Sequence, residues 1–123
     1  MTLVLVCLAG GLGATARFVV DALLNRRLPN SPLPAGTLAI NVTGSFLLGL
    51  LTGLAGHSAL APAWVSVAGT GFCGGYTTFS TACVEFVRLW DADGPTPGLA
   101  YALTTLIGSL LAAAAGVFVA ALA

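Results

Sequence analysis

Long apolar runs separated by short polar connectors organise this chain of 123 residues. A helix needs about 20 apolar residues to cross the hydrocarbon core of a bilayer. Four stretches meet this requirement, at residues 3–24, 34–56, 62–90 and 97–122. The pattern therefore predicts four transmembrane helices that form a single domain over residues 1–123.

The composition agrees with a lipid bilayer as the surroundings of the chain. Hydrophobic residues make up 58% of it, charged residues only 7%, and the mean hydropathy is +1.02. Soluble domains normally have about a quarter of their residues charged. We therefore predict an all-α integral membrane protein. The net charge of zero provides no basic surface for a nucleic acid, so no nucleic-acid partner is expected.

The arginines fall on one side of the predicted bundle. Arg26 and Arg27 lie in the first connector, Arg88 ends the third segment, and Arg17 lies toward the same end of the first. The opposite connector and the two termini contain no Lys or Arg. Because basic residues favour the cytoplasmic side, both termini are predicted to lie outside the cell's inner (plasma) membrane.

Small residues recur at spacings of four along the apolar segments. Gly49 and Gly53 form one such pair, and Gly71 and Gly75 form another. Small residues let helix backbones approach closely in lipid, where packing drives association. Four helices of this size enclose little space, so we expect an oligomer.

Asn41 is the one amide well inside the second segment, with Thr37 one turn before it and Ser45 one turn after. An amide in hydrocarbon must find hydrogen-bond partners. One interpretation is an interhelical hydrogen bond; the other is a donor that lines a pore. The stripe of hydroxyl, amide and hydroxyl slightly favours the pore.

The stretch "GGYTTFST" predicts a break in the third helix. Gly74 and Gly75 weaken a helix, and the β-branched pair Thr77 and Thr78 adds crowding. A break frees backbone carbonyls, which are tolerated at membrane depth only where protein, ion or water satisfies them. A small hard cation such as Na⁺ suits carbonyl oxygens. The alternative is a continuous helix packed through its glycines.

Donors for an anion follow the predicted break. The ring of Phe79 has a positive edge, and Ser80 and Thr81 resume a helix with two hydroxyls. Thr105 and Ser109, one turn apart, provide another pair in the fourth segment. Ring edges, hydroxyls and amides together replace part of an anion's hydration shell without a fixed positive charge.

Three stretches resemble the fluoride-channel family (Fluc/CrcB). They are "GGLGATAR" (10–17), "GTLAINVTGSFLLG" (36–49) and "GTGFCGGYTTFST" (69–81), which occur in the family's order and spacing. The resemblance covers nearly the whole chain. It implies a four-helix subunit that forms an antiparallel dimer, with two narrow fluoride pores and a central structural Na⁺.

The resemblance also implies roles for individual residues. The carbonyls of Gly74 and Thr77 would bind Na⁺, Asn41 would face fluoride, and Phe79 would supply the first ring of a phenylalanine pair. Further positions on or near the fluoride pathway are Thr37, Ser80, Thr81, Thr105 and the vestibule residue Arg17.

Ala82 departs from the family pattern, which usually reads TTFSTF where this chain reads "TTFSTA". In the family each pore takes its two rings from different subunits, so a homodimer would lack one ring in both pores. The one-sided arginines also disfavour insertion in two orientations. Both observations favour a heterodimer with an oppositely oriented paralogue over a homodimer.

Two other function classes compete with this interpretation. A small multidrug-resistance-type exporter needs an acid in the middle of its first helix, whereas Asp21 lies near the end of that segment. A non-conducting partner subunit of a fluoride channel is compatible with Ala82. An enzyme is not expected, because the single histidine, His57, lies in a connector without a nucleophile beside it.

Overall fold

The computed structural model describes residues 1–56 and 60–122, so His57 lies outside the described residues. Three helices in this part of the chain are long and apolar enough to cross a membrane. They are α1 (Thr2–Arg27), α2 (Ala35–Gly56) and α6 (Pro95–Ala121). Together with the segmented third crossing, they give the four-helix membrane protein that the sequence predicts.

The third crossing is assembled from shorter pieces. It begins with α3 (Pro62–Val65), continues through a π-helical segment (Ser66–Cys73) and α4 (Gly74–Tyr76), and ends with α5 (Phe79–Asp93). Between α4 and α5 the chain is extended, with ψ of 158° at Thr77 and 116° at Thr78. The predicted break is confirmed.

The break lies at the two threonines, not at the two glycines before them. Gly74 is helical, with φ −63° and ψ −36°, and Gly75 lies within α4. Gly75 is small for a packing reason, because a Cβ there would overlap the carbonyl oxygen of Gly10 in α1. The β-branched threonines, which favour extended backbone, form the interruption itself.

Glycine contacts join the helices in two pairs. A Cβ on Gly49 of α2 would overlap the carbonyl of Ala113 in α6, and a Cβ on Gly116 would overlap the carbonyl of Phe46. Likewise, a Cβ on Gly13 of α1 would overlap the carbonyl of Phe72 in the third crossing. The predicted close approach of backbones through small residues is confirmed.

Replacing Gly49 with alanine is expected to destabilise the protein. The added methyl group meets a backbone carbonyl that cannot rotate away, and such overpacking costs about 1–3 kcal/mol. Gly11→Ala is the matched control, because nothing lies within 4 Å of the position of its Cβ. Thermal unfolding in detergent should place Gly49→Ala several degrees below Gly11→Ala, and equal midpoints would contradict the close packing.

Few side chains are fully buried, and most large apolar ones point outward. Tyr101, Ile40, Thr37 and Cys73 form the buried centre. On the outer surface Leu110 and Leu111 of α6 are 63% and 67% exposed. An outward apolar surface on helices of this length suits contact with lipid or with another chain.

Candidate functional site

A pocket of about 370 Å³ lies where α2, the break, α5 and α6 meet. Its lining is mostly apolar, and a small number of amide and hydroxyl groups point into it. Seven lining residues carry an amide or a hydroxyl: Asn41, Ser45, Thr77, Thr78, Tyr101, Thr105 and Ser109. The helix break therefore lies beside the hydroxyl pair of the fourth membrane segment, although these residues are far apart in sequence.

The amide of Asn41 is clamped onto the backbone of Thr78. The Thr78 N–H donates to Asn41 Oδ1 at 2.8 Å, and Asn41 Nδ2 donates to the Thr78 carbonyl at 2.9 Å. Both residues are buried. The interhelical hydrogen bond considered for Asn41 is thus present. The side chain also lines the pocket. Its amide nitrogen carries two N–H groups, and only one of them is used in the bond to Thr78.

Thr78 also caps the helix that follows it. Its Oγ1 accepts a hydrogen bond from the N–H of Thr81 at 3.2 Å, as an N-cap residue does. In a continuous helix the N–H of Thr78 would bond to the Gly74 carbonyl, and that of Thr81 to the Thr77 carbonyl. Both donors have other acceptors here, so these two carbonyls lose their helical partners.

The hydroxyls of Thr105 and Ser109 are buried without a hydrogen-bond partner among the described residues. Several other hydroxyls instead bond to the carbonyl four residues earlier. They are those of Thr15, Thr43, Thr52, Ser66 and Thr77. Thr105 and Ser109 therefore keep O–H donors available to an occupant of the pocket.

Tyr101 extends this row of hydroxyls by one turn toward the α5–α6 turn. Its ring is only 1% exposed and lines the pocket. Its hydroxyl donates to Oε2 of Glu85 in α5 at 2.6 Å. This bond joins α5 to α6 at the charged end of the bundle and gives the half-buried carboxylate a donor.

Phe79 and Ala82 share a wall of the pocket. The ring of Phe79 is 85% exposed in this single chain, which is unusual for a phenylalanine. Ala82, one turn later, contributes only a methyl group. The pocket is therefore open on the α5 side, where the chain offers one exposed ring and no second one.

The predicted site residues divide into those at the pocket and those near it. Asn41, Thr77, Phe79 and Thr105 line it. Thr37 is buried one turn before Asn41 without reaching the lining. The other predicted positions also lie outside the lining, and they are Arg17, Gly74, Ser80 and Thr81.

The hydroxyls of Ser80 and Thr81 lie close to the hydroxyl of Thr78, the residue that caps α5. The hydroxyl of Thr78 donates to Thr81 Oγ1 at 3.0 Å and lies 3.3 Å from Ser80 Oγ. Sequence reasoning placed Thr78 in the break and Ser109 among the donors, but it predicted neither the capping role of Thr78 nor the bond between Tyr101 and Glu85.

Asp21 does not serve as an acid in the middle of the bundle. Its carboxylate lies against Gly36 in the first turn of α2, where a Cβ on Gly36 would overlap Asp21 Oδ1. A negative charge at the start of a helix is favourable because backbone N–H groups point toward it. The structure thus gives Asp21 a local role at a helix end.

Similarity to known proteins agrees with the three sequence motifs. The family model described as CrcB-like protein, Camphor Resistance (CrcB), matches residues 4–117. "Fluoride-specific ion channel FluC 2" of Cutibacterium acnes is 49% identical over 117 residues, which cover 94% of each chain. "Fluoride-specific ion channel FluC" of Gloeobacter violaceus is 42% identical over 92% of this chain and 90% of that protein.

A further relative is more similar over a shorter region. "Fluoride-specific ion channel FluC 1" of Leifsonia xyli is 62% identical over 84 residues, which are 68% of this chain and 61% of that protein. The family model covers nearly the whole four-helix bundle, including the pocket and the break. The chain therefore belongs to the CrcB-like family, the family that its glycine- and hydroxyl-rich motifs resemble.

Proposed function

We propose that this chain is a subunit of a fluoride-selective channel through which cytoplasmic fluoride leaves the cell passively. The observation that supports this most directly is that the hydroxyls of Thr105 and Ser109, which have no partner among the described residues, line the same pocket as the Asn41 amide. Relatives over most of the chain are named fluoride-specific ion channels. Family membership and the donor set therefore favour the same ion.

The chemistry of the pocket suits a small anion. Fluoride is strongly hydrated, so a pore must replace lost water with donors in a space too narrow for larger ions. Three kinds of donor are available: hydroxyls of α6, the spare amide N–H of Asn41, and the positive edge of the Phe79 ring. None of them carries a net charge, so the anion is not trapped.

The driving force needs no coupled reaction. Fluoride enters a cell from acid surroundings as neutral HF and dissociates at the higher internal pH. The membrane potential, negative inside, then drives the ion outward. With the arginines on the cytoplasmic side, both termini lie outside.

A structural Na⁺ fits the backbone at the break. The carbonyls of Gly74 and Thr77 have lost their helical donors to Asn41 and Thr78, and carbonyl oxygens are suitable ligands for a hard cation. Gly74 is exposed, and nothing lies within 4 Å of its Cβ position, so its face is open to a second chain. A bound cation would add one positive charge and reduce the local cost of anions.

We also propose that the working channel is an antiparallel dimer, and more specifically a heterodimer. The pocket is open beside Ala82, so a second chain is needed to narrow it. The relatives numbered FluC 1 and FluC 2 suggest organisms with more than one such chain. A paralogue in the opposite orientation would supply the ring that this chain lacks.

Fluoride efflux from liposomes tests the function. Vesicles containing this chain together with its paralogue are expected to release fluoride, measured with a fluoride electrode, and to retain chloride. The chain alone is expected to release it much more slowly. Absence of fluoride release from both preparations would contradict the channel. Rapid release by the chain alone would contradict the need for a partner.

Ala82→Phe tests whether the missing ring is the reason for slow fluoride release by the chain alone. If the missing ring limits flux, the substitution should raise release by the chain alone about tenfold, provided that copies insert in both orientations. Cys83→Phe is the control, because it adds the same ring at the neighbouring pocket position. Equal effects of both variants would show that bulk in the pocket matters and the ring position does not.

A non-conducting partner subunit is the second candidate, and Ala82 is the observation that favours it. It would require a partner that releases fluoride equally well without this chain. A multidrug exporter has less support, because Asp21 packs at a helix end beside Gly36. Retention of cationic dyes under a proton gradient would separate the channel from this exporter.

A further inference from the structure

The hydrogen bonds of Thr78 determine which backbone groups of the third crossing are free. A continuous helix would use its N–H on the Gly74 carbonyl. Here that N–H is given to Asn41 Oδ1 at 2.8 Å, and the Thr78 carbonyl receives Asn41 Nδ2 at 2.9 Å. One side chain from α2 therefore satisfies both backbone groups of the residue at the break.

This geometry matters because the break lies between membrane-spanning helices. A polar backbone group without a partner costs several kcal/mol in hydrocarbon, so Thr78 would otherwise favour the continuous helix. Asn41 removes that preference. Once Thr78 is extended, its hydroxyl reaches the N–H of Thr81 at 3.2 Å and takes the donor that would have served Thr77.

We propose that Asn41 is a positioning residue that holds the helix break open and thereby frees the Gly74 and Thr77 carbonyls for a cation. This inference rests on the cation site in the proposed function, but it assigns that site's formation to an amide on another helix. The groups left without donors are both carbonyls, which attract cations. The same amide lines the pocket, so it links the two sites.

Two substitutions at this position separate positioning from pore lining. Asn41→Leu removes both hydrogen bonds, so the N–H of Thr78 bonds to the Gly74 carbonyl and the third crossing becomes a continuous helix. Asn41→Asp keeps the acceptor for that N–H, so the Gly74 carbonyl stays free, although the variant loses the donor to the Thr78 carbonyl and adds a negative charge. Thr43→Val is the matched control, because it removes another bond from α2 to the third crossing, between Thr43 and Tyr76 at 3.1 Å, without affecting Thr78.

The measurement is the thermal unfolding midpoint of the purified full-length protein in Na⁺ relative to N-methylglucamine. A ligand that binds only the folded state raises this midpoint, and we expect a rise of about 5 °C or more for the unsubstituted protein. Thr43→Val and Asn41→Asp should keep the rise. Asn41→Leu should lose it.

Two outcomes would overturn the inference: a rise retained in Asn41→Leu, or a rise lost in Asn41→Asp. A rise lost in Asn41→Asp would overturn the inference even if Asn41→Leu does not fold. Absence of a rise in the unsubstituted protein would overturn it too, whatever the fluoride flux. A Na⁺-dependent rise in a protein that releases no fluoride would leave this inference standing and contradict the proposed function.

Discussion

Asn41→Asp is expected to abolish fluoride release. The substitution places a carboxylate on the wall of the pocket, beside the hydroxyls of Thr105 and Ser109. Two unit charges about 4 Å apart repel by about 4 kcal/mol at an effective dielectric constant near 20, which corresponds to about a thousandfold in rate. The loss should appear as initial efflux no faster than that of protein-free vesicles.

The matched control for this charge is Asn25→Asp. It makes the same chemical change at an exposed amide near the end of α1, away from the pocket. Its efflux should stay within about twofold of the unsubstituted channel, because exposed charges are screened by salt and solvent. Undiminished flux in Asn41→Asp would remove Asn41 from the ion path and leave it only the positioning role.

The double substitution Thr105→Val with Ser109→Ala is expected to slow fluoride release about a hundredfold or more. A hydrogen bond to a charged partner is worth about 1.5–3 kcal/mol, so losing two such donors raises the barrier by about 3–6 kcal/mol. Valine keeps the shape of threonine, so the pocket should keep its width. Efflux measured at equal protein content in the vesicles tests this expectation.

The stability of the folded state should not fall with the flux in this double variant. Both hydroxyls are buried without a partner among the described residues, so removing them relieves a desolvation cost. The unfolding midpoint of the double variant should equal or exceed that of the unsubstituted protein. Thr104→Val, at an exposed position outside the lining, should change neither property. A lower midpoint together with lower flux would indicate a structural role for the two hydroxyls.

Hydrophobic length and composition predicted the four crossings, because a bilayer leaves few alternatives to apolar helices of fixed length. The ends of α1 shifted by up to three residues, from the predicted 3–24 to Thr2–Arg27. The sequence does not encode where an apolar helix leaves the membrane as clearly as it encodes the presence of the helix. Arg26 and Arg27 extend the helix in water, where propensity and not hydropathy decides.

The site was only partly predictable for a physical reason. Helix propensity identified the stretch that breaks but counted Gly74 and Gly75 together with the threonines, whereas packing against α1 holds Gly75 helical. The clamp between Asn41 and Thr78 joins residues 37 positions apart, a pairing that no local rule specifies. The bond between Tyr101 and Glu85 was missed because the two residues lie on different helices.

The turn between α5 and α6 has a consequence for how this family can vary in length. Gly94 is the one described glycine with positive φ, at 93°, and the bond from Tyr101 to Glu85 closes the hairpin just beyond it. One residue inserted between Gly94 and Tyr101 would rotate the rest of α6 by about 100° relative to the turn and direct Thr105 and Ser109 away from the pocket. Functional relatives should therefore tolerate insertions in the other connectors far more readily than in this turn.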